Sequence, residues 1–177
     1  EPVELRDRFP AVVHVEVIDI RTLAGGAELK SGLSAVVTSS VDLHTTDFEV
    51  AAPTTVRLTR AGNIADLSAD ADNVALPAGS GTIELTFDVE LQVSRVSDYF
   101  EITLHKVEGS VLIRQRIYTV SERKLALDPS FLTPNTQYVF EIRAFRGRPD
   151  IVRHDFTVNS YPQIAATVFT RTFITPP

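Results

Sequence analysis

Residues Leu132 to Phe145 read L-T-P-N-T-Q-Y-V-F-E-I-R-A-F. Pro134 and Asn135 make a turn, after which the chain alternates strictly. Tyr138, Phe140, Ile142 and Ala144 fall on one side, Glu141 and Arg143 on the other. A period of two carried by aromatic and β-branched side chains predicts a half-buried strand, because a helix repeats at 3.6. The same alternation runs through Thr82–Gln92, where Ile83, Leu85, Phe87, Val89 and Leu91 share a face. It recurs in Ala11–Ile20, where Val13, Val15 and Val17 do. The fold class is therefore all-β.

The lead-in Leu132-x-Pro134-x-Thr136-x-Tyr138 resembles the tyrosine corner of a β-sandwich. In that corner the Tyr hydroxyl reaches back to backbone a few residues upstream and fixes the crossover between two sheets. On these residues the segment resembles the E–F corner and F strand of a fibronectin type III domain. The resemblance covers residues 74–158 and implies a seven-stranded, immunoglobulin-like sandwich. Val74–Ala78 would be strand A, with Pro77 at an edge where its missing N–H is tolerated. Thr82–Gln92 would be B, Tyr99–Val107 C with Phe100, Ile102 and Leu104 inward, and Val111–Val120 C′. Lys124–Leu127 would be E, and Ile151–Val158, after the corner and F, would be G. The family's core Trp is absent, so Phe87 is expected to fill its place.

Before that unit the pattern predicts a second, smaller β-rich domain over residues 1–72. Its strands are expected at Ala11–Ile20, Leu33–Leu43, Asp47–Ala51 and Thr54–Thr59, with turns at Gly25-Gly26 and Lys30-Ser31-Gly32. Residues 61–73 lose the β pattern and are read as the boundary, a linker or short helical turn. The sandwich then occupies 73–160, and 161–177 is a linker plus a surplus strand, Gln163–Thr175. That strand could be the true G strand, could complete the 1–72 part, or could pair with a neighbouring molecule by strand addition. Completion within the chain is favoured, because an open edge of that length invites aggregation.

Composition narrows the function classes. With 177 residues, 44% of them hydrophobic, the chain can bury a core. A net charge of −6 argues against a nucleic-acid or anionic-membrane partner. There is no Cys, which removes disulfides and thiolate metal sites. There is no Met either, so Glu1-Pro2 reads as a processed or excised start. With the resemblance, this implies an extracellular or cell-surface location, or a virion. No apolar run is long enough to span a bilayer, so membrane insertion is not expected.

Few residues suggest chemistry. Asp66, Asp70 and Asp72 place carboxylates at near-alternate positions, a candidate calcium set. An EF-type loop would need a Gly at its sixth position and a bidentate acid further on, and neither follows, so a solvated linker competes. Arg146, Arg148, Arg153 and His154 gather basic charge around the F–G turn as a candidate binding loop for an anionic partner. In the resembled family this turn can carry an Arg-Gly-Asp tripeptide; here Arg148 stands where the acid would be. The competing reading is a turn in which Gly and Pro serve geometry and Arg serves solubility. His14, His44, His105 and His154 show no metal-ligand spacing, and His14 and His105 fall on outward faces. Gly79-Ser80-Gly81 lacks a nucleophile-elbow frame, and no phosphate-binding loop occurs. No catalytic residue and no cofactor are assigned.

The expected function is a non-catalytic extracellular β-sandwich module for adhesion, binding or spacing. Its partners would be other proteins or neighbouring domains. The alternative is a structural subunit of an ordered assembly (a pilus, a surface layer or a virus-particle decoration), joined through strand 163–175. A third reading is an accessory module of a carbohydrate-active enzyme.

Overall fold

A computed structural model describes residues 12–38, 49–68, 71–90, 97–148, 151–153 and 163–177. Its strands, in chain order, are β1 (Val12–Thr22), β2 (Glu28–Thr38), β3 (Pro53–Arg60), β4 (Asn63–Asp66), β5 (Val74–Ala75) and β6 (Ile83–Val89). They continue with β7 (Tyr99–Glu108), β8 (Val111–Val120), β9 (Lys124–Leu127), β10 (Gln137–Arg146), β11 (Gln163–Phe169) and β12 (Phe173–Ile174). The larger sheet runs β1-β2-β11-β10-β7-β8, and β12 lies on the start of β10 with β5 beside it. The smaller sheet runs β4-β3-β6-β9. Every pairing is antiparallel except β5 with β12.

The two sheets share one core. Leu58, Ile83, Leu85, Phe87 and Leu127 come from the smaller sheet; Ile102, Leu104, Tyr138, Phe140, Ile142 and Ile164 come from the larger. Phe87 is buried there and meets Phe100 edge to face, ring centroids 4.9 Å apart. Tyr138, Phe140, Ile142 and Ala144 of β10 are all fully buried on this side, and the alternation is broken by Val139, which is fully buried on the other. Burying such side chains contributes roughly 1.5–3 kcal/mol each, which is what holds the layers together.

At the Leu132–Tyr138 turn a side-chain hydroxyl reaches back to the backbone. The Tyr138 hydroxyl accepts the Thr133 N–H at 2.9 Å, and Asn135 takes the left-handed turn conformation at φ 51°. The C-terminal residues close over it: Thr136 N–H donates to Thr175 Oγ1, and that hydroxyl donates to the Thr133 carbonyl at 2.6 Å.

Several expectations are corrected. The division at 72/73 is not followed by the ladders, because β3 and β4 lie in one sheet with β6 and β9. The stretch 61–73 is no linker. Among the described residues it holds the Ala61-Gly62 turn and β4, which buries Ala65, and then the buried Leu67. Of the strand expected at Val74–Ala78 only Val74–Ala75 is strand, and it pairs with β12. Lys30-Ser31-Gly32 is no turn but part of β2. Residues 49–51 of the expected third strand are not strand; Asp47 and Phe48 lie outside the described residues.

The strand that pairs with β10 here is β11, while Ile151–Arg153, expected as strand, is a single 3-10 turn and 154–158 lie outside the described residues. The stretch 163–175 is neither surplus nor free for exchange. β11 is hydrogen-bonded to β10 on one side and β2 on the other, so Ile164, Ala165 and Ala166 are buried on both faces. Its break before β12 comes at Thr170, whose side-chain oxygen replaces a strand carbonyl by accepting the Phe140 N–H at 3.1 Å.

Candidate interaction surface

The β1–β2 hairpin is the feature set apart from the layered body. β1 and β2 stay paired from Val12↔Thr38 to Thr22↔Glu28, but β2 leaves β11 after Gly32↔Thr167. Beyond that point the hairpin folds onto the outer face of the larger sheet. Leu23, Ala27 and Leu29 there form a second apolar cluster with Val139, joined by Val107, Leu112 and Phe169. Glycine permits two close approaches. A Cβ on Gly32 would stand 2.0 Å from the Val17 carbonyl oxygen, and one on Gly25 would stand 2.6 Å from that of Gly109 in the β7–β8 turn.

Polar contacts tie the hairpin down as well. Arg21 donates to Asp72 Oδ1 at 3.0 Å and to the Thr170 carbonyl, and the Phe169 N–H donates to Ser31 Oγ at 3.1 Å. Burial lowers the Arg21 pKa, with the Asp72 carboxylate opposing it.

Under the hairpin the outer face is built of matched charges. His105 Nε2 lies 2.9 Å from Glu141 Oε2, beside the Phe169 ring, and His105 is buried. Its Nδ1 has no hydrogen-bond partner among the described residues. One row along, Arg143 donates to Glu101 Oε1 at 3.5 Å, and its guanidinium lies 4.7 Å from the Phe145 ring centre. Phe145 in turn stacks on Tyr99 at 4.7 Å, and burial pushes the Tyr99 phenol up. A groove of about 290 Å³ between hairpin and sheet has Glu16, Lys30, Glu141, Arg143 and Thr167 in its walls. Because Glu141 and Arg143 already hold partners, its charge is largely neutralised from within.

β1 itself is the exposed element. Every residue from Val13 to Ile20 is exposed, including Val13, Val15 and Val17 on one face and Ile18 and Ile20 on the other. Val17 is 67% exposed and Ile20 53%, far more than a strand with a covered face would leave. No described strand pairs with its outer edge.

The other candidate residues are placed as follows. Of Leu132, Pro134 and Tyr138, Tyr138 is buried and accepts the Thr133 N–H, while Leu132 is half-buried and Pro134 exposed on the turn before it. Arg146 donates to the Glu49 carbonyl and Arg148 to Gln163 Oε1, while the Gly147 and Arg148 N–H groups latch onto Asp98 Oδ2. Arg153 is exposed on its 3-10 turn. Two of the three arginines therefore brace the turn region. Asp66 accepts the Ser68 N–H and hydroxyl, and Asp72 accepts from Arg21 and the Thr172 N–H, so the two serve separate networks. Asp70, His44 and His154 lie outside the described residues. Among the described residues no three His, Asp or Glu converge as a metal site. Nor is any helix long and apolar enough to cross a membrane.

Sequence reasoning put His105 on an outward face and missed its burial. The available signal was Val107 and Val139, apolar residues on the side that alternation assigns to solvent. It also missed that β1 is apolar on both faces, which Ile18 and Ile20 spell out beside the three valines. No protein-family model matches the chain, and no curated protein matches it.

Proposed function

We propose that this chain is a non-catalytic, protein-binding β-sandwich module that docks its partners along the outer edge of β1. The observation that carries this reading is the state of that strand. It is eleven residues long, free of proline, exposed along Val13–Ile20, and apolar on both faces. Natural edge strands are blunted by proline, charged side chains (lysine above all), bulges or a covering loop. Among the described residues β1 shows no proline, lysine or bulge; its charges are Glu16, Asp19 and Arg21, the last held by Asp72, and strand addition is the recognition mode such an edge suits.

The resemblance to fibronectin type III domains belongs to the same proposal. It is supported by the order β3-β6-β9 in one sheet, β8-β7-β10-β11 in the other, and the Tyr138–Thr133 bond at the crossover. The hairpin is then an addition on the β11 edge. An extracellular or surface location goes with that resemblance. The alternative, a subunit of an ordered assembly, is favoured by the same edge and would work through β1 rather than 163–175.

Hydrogen exchange tests the docking reading. Alternate β1 amides point away from β2, and at low concentration they should exchange fast while their neighbours are slowed by pairing with β2. Uniform protection of both sets in a monomer would mean the edge is already covered, and the reading would fail.

A further inference from the structure

We propose that the partner at the β1 edge is a second copy of this chain, paired antiparallel across a two-fold axis through Val15. The inference rests on β1 being a docking strand and names its occupant. An edge-to-edge antiparallel contact between identical strands has its two-fold axis perpendicular to the sheet. Each face then continues into the same face of the partner. Facing residues must therefore carry numbers whose sum is even, and the axis passes through one residue.

The candidate centres can be compared one by one from the sequence of β1, V-V-H-V-E-V-I-D-I-R-T. With the axis at Val15, Val13 faces Val17, Val15 faces itself, Val12 stands opposite Ile18, and His14 faces Glu16 twice. Apolar residues meet apolar ones throughout, and the only ionisable pair is of unlike character. An axis at Glu16 sets two carboxylates against each other and Val13 against Asp19. One at Val17 sets Val15 against Asp19 and Glu16 against Ile18. An axis at Ile18 puts Val17 against Asp19 and Glu16 against Ile20. One at His14 opposes two histidines and puts Val12 opposite Glu16. Like charges directly opposite destabilise a strand pair, and cross-strand apolar pairs stabilise it.

Of these five centres the residue pattern selects Val15; an axis at Ile20 would also set Asp19 against Arg21, but Arg21 already holds Asp72 and the Thr170 carbonyl, and only Ile18 to Thr22 would pair. The Val15 register brings Val13, Val15 and Val17 of both copies into one continuous apolar patch; these are 39%, 46% and 67% exposed in the single chain. It also joins the two larger sheets into one.

Light scattering across a concentration series tests this on the full chain and on three variants: His14→Glu, Glu16→Lys and the double variant. Both positions are exposed, so none disturbs the core. The unmodified chain should rise from 19.5 kDa towards twice that mass. His14→Glu opposes two carboxylate pairs and should weaken association about tenfold, while the double variant restores unlike charges and should recover most of the loss. Dimerisation indifferent to all three variants would place the contact elsewhere and overturn the proposal. A monomer with fast-exchanging outward β1 amides would reject the second copy and leave the docking edge standing. A monomer with all β1 amides protected would show a segment of its own chain on the edge, and both readings would fall.

Discussion

Two tyrosines of the larger sheet predict opposite responses to the same substitution. Tyr138 is fully buried, and its hydroxyl accepts the Thr133 N–H at 2.9 Å. Tyr138→Phe deletes that acceptor. Thr133 itself is exposed, so water can reach part of the released N–H. The loss should therefore be that of an ordinary hydrogen bond, about 1–1.5 kcal/mol, and not the larger penalty of a sealed donor. For a domain of this size that is a fall in Tm of roughly 2–6 °C. Tyr118 faces the same core from β8, but its buried hydroxyl has no partner among the described residues, and burial pushes the phenol up. Tyr118→Phe removes a desolvated group that gains nothing in return, so its effect should lie between neutral and about 1 kcal/mol stabilising. Urea unfolding of both variants, with the slope unchanged from the parent, measures the difference directly. An equal loss from both would refute the hydrogen-bond accounting. So would a neutral Tyr138→Phe, which would also remove the energetic basis of the corner.

Other consequences follow from the hairpin and one cap. Gly32→Ala forces a Cβ to within 2.0 Å of the Val17 carbonyl oxygen, and should cost about 1–3 kcal/mol with faster exchange in β1 and β2. Leu29→Ala empties the small cluster under the hairpin and should cost about 2–4 kcal/mol by urea unfolding, with exchange accelerated in the hairpin more than in β10. Asp128 caps a 3-10 turn by accepting the Ser130 N–H at 2.8 Å, which holds its carboxyl below 3.8. Its contribution is full above pH 3.8 and lost as pH falls through the lowered value. Asp128→Asn should flatten that part of the profile of urea midpoint against pH and leave the rest unchanged.

The body of the fold was legible where one face carries the whole signal. β6 alternates cleanly because it buries one side, while β7 and β10 keep the alternation towards the shared core although Thr103, His105 and Val139 are buried on their other face, and the turn at Leu132–Tyr138 depends on local residues. β4 was illegible because only Ala65 and Leu67 of its segment are buried, while Ile64 points out at 67% exposure. Two buried residues after a Gly turn look like a linker. β2 was started too late because Lys30-Ser31-Gly32 has turn composition. There Gly32 serves a close backbone approach inside the strand instead. β11 was read as surplus because strand partners are chosen by tertiary contacts, and no local pattern states that a distant strand will outcompete a nearer one. The charge pairs of the outer face were hidden for the same reason. Glu141 and His105 are 36 positions apart, and only the β7–β10 register brings them together.

The central claim, an exposed β1 edge that pairs with itself at Val15, can be tested in a chain that has no Cys of its own. Val15→Cys places two thiols on directly opposing residues, whose Cβ atoms in such a ladder are about 4.5–5.5 Å apart, near disulfide reach. Val17→Cys leaves the two thiols about four residues apart along the strands, roughly 13 Å, and out of reach. Mild oxidation should convert Val15→Cys to a covalent dimer on a non-reducing gel and leave Val17→Cys monomeric. Equal cross-linking of the two, or none in either, would contradict the account.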